Sequence, residues 1–92
     1  MSTILVVDDE PAICRLVSSI LGAHGFSVIT ATNGFAALAR AGEQKVAAVL
    51  SDVNMPGMDG IELGRELRRR MPELPIVLMS GVASETDRKS VV

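Results

Sequence analysis

Residues 4–25 read ILVVDDEPAICRLVSSILGAHG and join a short apolar run, a cluster of acids and a helical pattern. The run Ile4–Val7 is continuous and rich in β-branched residues, which predicts a strand covered on both faces. A helix is then predicted to begin near Pro11, a residue suited to the first turn, and to end at Gly22 or Gly25. Its apolar side chains recur at helical spacing. They are Ile13, Leu16, Val17, Ile20 and Leu21.

The rest of the chain repeats this alternation of short apolar runs and helical stretches. Strands are predicted at Phe26–Ala31, Val46–Leu50 and Ile76–Met79, each bounded by Gly, Pro, Asp or Asn or lying close to one of them. The predicted order is βαβαβαβα in a single domain over residues 1–92, which favours a parallel open α/β sheet.

The predicted second and third helices each carry an apolar stripe. The second is capped by Asn33 and ends at Gly42. The third runs from about Gly60 to Met71 and stops at Pro72. Ser84 marks the start of a fourth. The side chains expected to face inward are Phe35, Leu38 and Ala39 in the second helix and Ile61, Leu67 and Met71 in the third.

The composition excludes several classes of protein. The 92 residues carry a net charge of −2 and only 2% aromatic residues, which argues against nucleic acid as a direct ligand. A single cysteine cannot form an internal disulfide. No apolar run approaches the roughly 20 residues that cross a bilayer. We therefore expect a soluble cytoplasmic protein without a membrane partner.

Acidic residues stand where the first and third predicted strands end. In a parallel α/β sheet, ligands bind at the carboxyl ends of the strands, where the winding changes direction. If the second and third strands flank the first, Asp8, Asp9 and Asp52 converge there. Two carboxylates about 4 Å apart repel by about 4 kcal/mol at an effective dielectric of about 20, so we expect a cation among them.

Magnesium is the cation that these oxygen ligands suit best. Zinc is disfavoured because the lone cysteine, Cys14, and the lone histidine, His24, lie along and at the end of the first helix. A carboxylate beside such a metal can attack phosphorus, and Asp52 is the candidate nucleophile. Ser80 follows the fourth strand and offers a hydroxyl to a phosphoryl oxygen.

Three segments together resemble the receiver domain of bacterial two-component response regulators. They are Val6-Val7-Asp8-Asp9-Glu10, Asp52 followed by Met55-Pro56-Gly57-Met58-Asp59-Gly60, and Pro75-Ile76-Val77-Leu78-Met79-Ser80-Gly81. The resemblance implies a flavodoxin-like fold with strand order 2-1-3-4, and a partner that is a histidine kinase or a histidine phosphotransfer protein.

The resemblance also implies a role for individual residues. Asp52 matches the phosphoryl-accepting aspartate, and Asp8 and Asp9 match the acidic pair, with Asp9 as a direct Mg²⁺ ligand. The backbone carbonyl of Asn54 matches the remaining protein ligand. Ser80 matches the hydroxyl that moves onto the phosphoryl group. Self-phosphorylation and self-dephosphorylation, rather than turnover of a metabolite, are the activities implied.

The sequence departs from the family pattern after Ser80. The family's fifth strand, with its lysine and its aromatic residue, and the last helix are missing, and neither Lys45 nor Lys89 takes the place of that lysine. The fourth strand would then be a bare apolar edge, which predicts a homodimer, a strand-swapped oligomer, completion by another protein or continuation in a longer chain. Two other functions remain open. One is a degenerate receiver that acts only as an assembly domain, and the other, less favoured, is a phosphatase with Asp8 as nucleophile.

Overall fold

The computed structural model describes residues 2–79 as a parallel sheet with alternating helices. In chain order the elements are β1 (Thr3–Val7), α1 (Pro11–Ala23), β2 (Ser27–Ala31), α2 (Gly34–Glu43), β3 (Ala48–Asp52), α3 (Gly60–Arg70) and β4 (Ile76–Met79). The four strands of this part of the chain are ordered β2-β1-β3-β4, which confirms the predicted fold. The helix predicted to begin near Ser84 lies outside the described residues.

The register of the sheet aligns the carboxyl ends of its two central strands. Val7 at the end of β1 pairs with Ala31 on one side and with Ser51 on the other. Asp52 is the last residue of β3 and pairs with Met79 of β4. The residues that follow β1 and those that end β3 therefore lie side by side at the carboxyl end of the sheet.

Alternate side chains of the central strands enter two separate apolar layers. Leu5, Val7 and Val49 belong to the larger layer, with Leu63 and Leu67 of α3. Ile4 and Val6 belong to the smaller layer, which they share with Cys14 of α1. Because successive strand residues point to opposite faces, the continuous apolar run in β1 supplies both layers.

Side-chain caps fix where two of the helices begin. Asn33 Oδ1 accepts a hydrogen bond from Ala36 N at 2.7 Å at the start of α2. At α3, Asp59 Oδ1 accepts from Glu62 N at 2.9 Å, and Glu62 Oε1 accepts from Asp59 N at 3.2 Å. The second pair is a capping box, in which two otherwise unpaired N–H groups are satisfied reciprocally.

The strand predictions need two corrections. β3 begins and ends two residues later than predicted, so Asp52 belongs to the sheet instead of following it. The second concerns β4, because the continuous apolar run Ile76–Met79 would favour a strand covered on both faces, yet Val77 is 54% exposed and Leu78 is also exposed. β4 is the outermost strand on its side of the sheet within residues 2–79, so fewer elements pack on it.

The helix predictions chose several wrong inward residues. The exposed side chains among those predicted to be inward are Leu16, Ile20, Phe35, Ala39 and Ile61. Of the buried apolar helix residues, only Leu67 had been predicted to face inward, and four other predicted residues are half-buried against the core. The buried apolar residues are Cys14, Ala37, Ala41, Leu63 and Leu67, and the half-buried ones are Val17, Leu21, Leu38 and Met71. In α1 and α2 the buried apolar side chains are the small ones of Cys14, Ala37 and Ala41, whereas in α3 they are those of Leu63 and Leu67.

None of the helices in residues 2–79 has the length and apolar character needed to cross a membrane.

Candidate metal and phosphoryl site

Three carboxylates converge at the carboxyl edge of β1 and β3, as the sequence predicted. Asp8 and Asp9 follow β1 directly, and Asp52 ends the neighbouring strand. One carboxylate oxygen from each residue lies within 4.8 Å of the corresponding oxygen of the other two. We call these three residues the acidic cluster. Oxygens at such separations lie close enough to ligate a single divalent cation together.

Asp8 is the most constrained member of the acidic cluster. Only 5% of the surface of Asp8 is exposed to solvent. Its N–H donates to Ala31 O at 3.1 Å, and its Oδ1 accepts from Glu10 N at 2.9 Å. These bonds fix both the backbone and the carboxylate of Asp8 at the junction of β1, β2 and α1. Glu10, not Asp8 or Asp9, occupies the cap position of α1, and it makes no side-chain cap bond.

The electrostatics of the cluster favour a bound cation. Burial is the main cause that raises the pKa of Asp8 above its ordinary value, and repulsion from Asp52 and Asp9 raises it further. The hydrogen bond from Glu10 N acts in the opposite direction. A divalent ion between the carboxylates would replace this repulsion with attraction.

The donor set fits magnesium and does not fit zinc. All three side chains offer carboxylate oxygens, which a hard cation prefers. The Cys14 thiol points to backbone carbonyls, and burial raises its pKa, so it stays protonated. His24 lies at the far end of α1, with Nδ1 2.9 Å from Ile20 O. When bound, Mg²⁺ would neutralise the carboxylates and polarise a phosphoryl oxygen.

The loop after Asp52 is held by a close backbone contact at Gly60. Gly60 N donates to Val53 O at 2.8 Å. A Cβ atom at Gly60 would overlap the backbone oxygen of Asp52 and would lie 2.8 Å from Val53 Cα. Only glycine therefore lets the start of α3 press against the strand end that carries Asp52.

A second glycine in the same loop has a conformation that other residues rarely adopt. Gly57 has φ of +77°, in the left-handed region, and it reverses the chain before α3. On either side of it, Met55 is buried in the larger apolar layer, and Met58 packs against that layer beside Gly34. The two methionines therefore anchor the loop to the apolar core.

Comparison with known proteins identifies the family. The family model described as the response regulator receiver domain matches residues 4–92. The chain belongs to this family. Among curated relatives, the receiver is 38% identical to the probable transcriptional regulatory protein TcrX of Mycobacterium tuberculosis over 86 residues, which is 94% of the receiver. It is 43% identical to the transcriptional regulatory protein AruR of Pseudomonas aeruginosa over 90 residues, or 92% of the receiver.

The receiver spans 37% of the length of TcrX and 36% of the length of AruR. Among solved structures it is similar to the response regulator TrrA of Thermotoga maritima in complex with Mg²⁺ and BeF, with a TM-score of 0.86 and 35% identity. That match covers 99% of the receiver and 80% of TrrA. The complex of TrrA with histidine kinase ThkA matches 88% of the receiver and 70% of the solved chain, with a TM-score of 0.84 and 37% identity.

The predicted site residues of the receiver fall into three groups. Asp8, Asp9 and Asp52 lie together. Asn54 is exposed in the loop, two residues beyond Asp52. Ser80 lies outside the described residues. The sequence did not indicate that Cys14, whose thiol contacts Asp8 O, lies beside the site, and no motif in it marks this residue.

Proposed function

We propose that this receiver accepts a phosphoryl group on Asp52 from a histidine kinase or a histidine phosphotransfer protein, with Mg²⁺ bound by the acidic cluster. The proposal rests on one observation. Carboxylate oxygens of the three acids lie within 4.8 Å of one another at the carboxyl end of the sheet. Membership of the receiver family supports it, as does the similar TrrA, which was solved with Mg²⁺ and BeF and also with a histidine kinase.

In the proposed reaction a carboxylate oxygen of Asp52 attacks the phosphorus of a phosphohistidine. The new O–P bond forms as the P–N bond breaks, and the imidazole leaves with the bonding electron pair and takes up a proton. The product is an acyl phosphate on Asp52. Water attack on the same phosphorus later restores the carboxylate and releases inorganic phosphate, so no metabolite is turned over.

The other residues of the proposed site bind the cation or contact the phosphoryl group. Asp8 and Asp9 supply negative charge for the cation, and we assign Asp9 as a direct ligand. The backbone carbonyl of Asn54 is the proposed further ligand, since its loop begins at Asp52 and is pinned by the Gly60 contact. We propose that the hydroxyl of Ser80 moves onto the phosphoryl group and reports the change.

The direct test is a chemical one. The protein is incubated with Mg²⁺ and acetyl phosphate, and its intact mass is measured with and without the substitution Asp52→Asn. We expect an adduct of one phosphoryl group that appears only with Mg²⁺ and that Asp52→Asn abolishes. The proposal would be refuted if the folded, Mg²⁺-binding protein forms no adduct. It would also be refuted if the Asp52→Asn variant still forms one.

We further propose that copies of this chain associate through β4. Two apolar side chains of this strand, Val77 and Leu78, are exposed, and such a strand offers backbone groups for pairing with another chain. The test is light scattering after size exclusion, with Val77→Lys as the charged variant and Ile61→Lys as the control on another exposed apolar residue. We expect a dimer that Val77→Lys alone disrupts, and a monomer at high concentration would contradict the proposal.

A further inference from the structure

Cys14 is a buried residue that the proposed reaction does not use. It lies in the first turns of α1 and is 3% exposed. Its side chain belongs to the smaller apolar layer with Ile4 and Val6. The same side chain also reaches the carboxyl end of β1, close to the acidic cluster.

The thiol of Cys14 contacts the backbone at the ends of two strands. Cys14 Sγ donates to Asp8 O at 3.4 Å, and Ala31 O lies 3.8 Å away. Ala31 O also accepts the hydrogen bond from Asp8 N. The thiol therefore sits where the chain leaves β1, where β2 ends and where α1 begins.

Asp8 makes two hydrogen bonds to backbone atoms of its partners and one to a partner's side chain. Its N–H bonds to Ala31 O, its Oδ1 accepts from Glu10 N, and its carbonyl oxygen accepts from Cys14 Sγ. The first two involve only backbone atoms of the partner residue. Of these three hydrogen bonds, the one from the thiol can be removed by changing the partner's side chain.

We infer that Cys14 is a positioning residue for Asp8, which holds the main chain of this acid so that its carboxylate faces Asp9 and Asp52. The inference rests on the proposed Mg²⁺ site. A thiol suits this position because it donates a hydrogen bond and still packs as a small apolar group beside Val6. Groups that orient metal ligands from behind commonly alter metal affinity when they are removed.

The experiment measures the Mg²⁺ dissociation constant of the full chain by titration of the backbone amide signals of Asp8, Asp9 and Asp52. Cys14→Ala removes the donor, and we expect binding to weaken about tenfold, the low end of the loss seen when a group that orients a metal ligand is removed, because a thiol is a weak donor. Cys14→Ser keeps a donor, and we expect its affinity to stay within about twofold of the parent protein. Equal affinity of Cys14→Ala and the parent would overturn the inference.

Val17→Ala is the matched control for packing. Val17 lies one turn further along α1 and packs against the same apolar layer, but its side chain has no hydrogen-bond donor. We expect Val17→Ala to lower stability without weakening Mg²⁺ binding. If both alanine variants weaken binding equally, the effect belongs to core packing and the inference fails.

Two further points keep the test decisive. If Cys14→Ala does not fold, Cys14→Val replaces it, because valine fills the space without donating a hydrogen bond, and the same loss of affinity is expected. Mg²⁺ binding is measured without a phosphoryl donor, so a missing adduct on Asp52 refutes the proposed reaction and leaves this inference standing. Unchanged binding in the donor-free variants refutes the inference and leaves the reaction standing.

Discussion

Replacing Gly60 with alanine is the substitution for which the structure predicts the sharpest loss. The new Cβ would overlap Asp52 O and lie 2.8 Å from Val53 Cα, and both atoms belong to the backbone of the loop that begins at the acidic cluster. Neither can rotate away as the tip of a side chain can. Relief requires α3 to move away from the end of β3.

Overpacking of this kind typically costs about 1–3 kcal/mol, and alanine returns at most about 1 kcal/mol of helix propensity, so we expect a net destabilisation of about 1–2 kcal/mol. The Mg²⁺ affinity should fall as well, because the shift moves Asp52 relative to Asp8. Urea denaturation at neutral pH and Mg²⁺ titration measure the two effects.

Gly64→Ala is the matched control in the same helix. A Cβ at Gly64 would lie 3.8 Å from Ile76 Cγ2, an ordinary van der Waals contact. We expect this variant to gain up to about 1 kcal/mol from helix propensity and to bind Mg²⁺ unchanged. If Gly60→Ala is as stable as Gly64→Ala, the close approach between α3 and β3 does not constrain the site as described.

Three further predictions concern charge and capping. Without Mg²⁺, the stability of the parent protein should rise relative to Asp8→Asn as the pH falls through the raised pKa of Asp8, because the folded state binds the proton more tightly than the unfolded state does. Denaturation at a series of pH values measures the difference in stability between the two proteins. A difference that does not change with pH would contradict the prediction. Asn33→Ala should lose about 1 kcal/mol of unfolding free energy through its missing cap while Asn33→Asp keeps it, as urea denaturation can verify. Glu66→Gln should leave the unfolding midpoint unchanged, since its pairs with Arg69 and Arg70 are exposed, and a clear drop would show that these pairs matter.

The strand order and the acidic cluster could be predicted from the sequence because both follow from connectivity. Parallel strands joined by helices align their carboxyl ends, so acids placed after β1 and at the end of β3 had to meet if those two strands are neighbours. An error of two residues in the bounds of β3 did not disturb this result. Asp52 remained at the strand end whether it was the last residue of β3 or the next one.

The packing of the helices could not be predicted in the same way. Hydrophobicity marked Leu16 and Phe35 as inward, yet Phe35 is 65% exposed, while Ala37 and Ala41 of the same helix are buried. Which side of a helix meets the sheet depends on how closely the two backbones approach, and a sequence pattern does not state that distance. The role of Cys14 was hidden for the same reason, since its bond to Asp8 O depends on the depth at which α1 sits.

The placement of the acidic cluster has a consequence for hydrogen exchange. Asp8 and Asp9 extend from β1 and Asp52 ends β3, the two interior strands of the described sheet, while β2 and β4 lie on either side of them. Outer elements of a protein open more often than its centre does. Transient fraying at the amino-terminal ends of β2 and β4, which lie away from the acidic cluster, should therefore expose their amides to solvent while Ala31 O still accepts from Asp8 N. The three carboxylates then stay together, and the capacity to bind a cation should persist while the far end of the sheet opens.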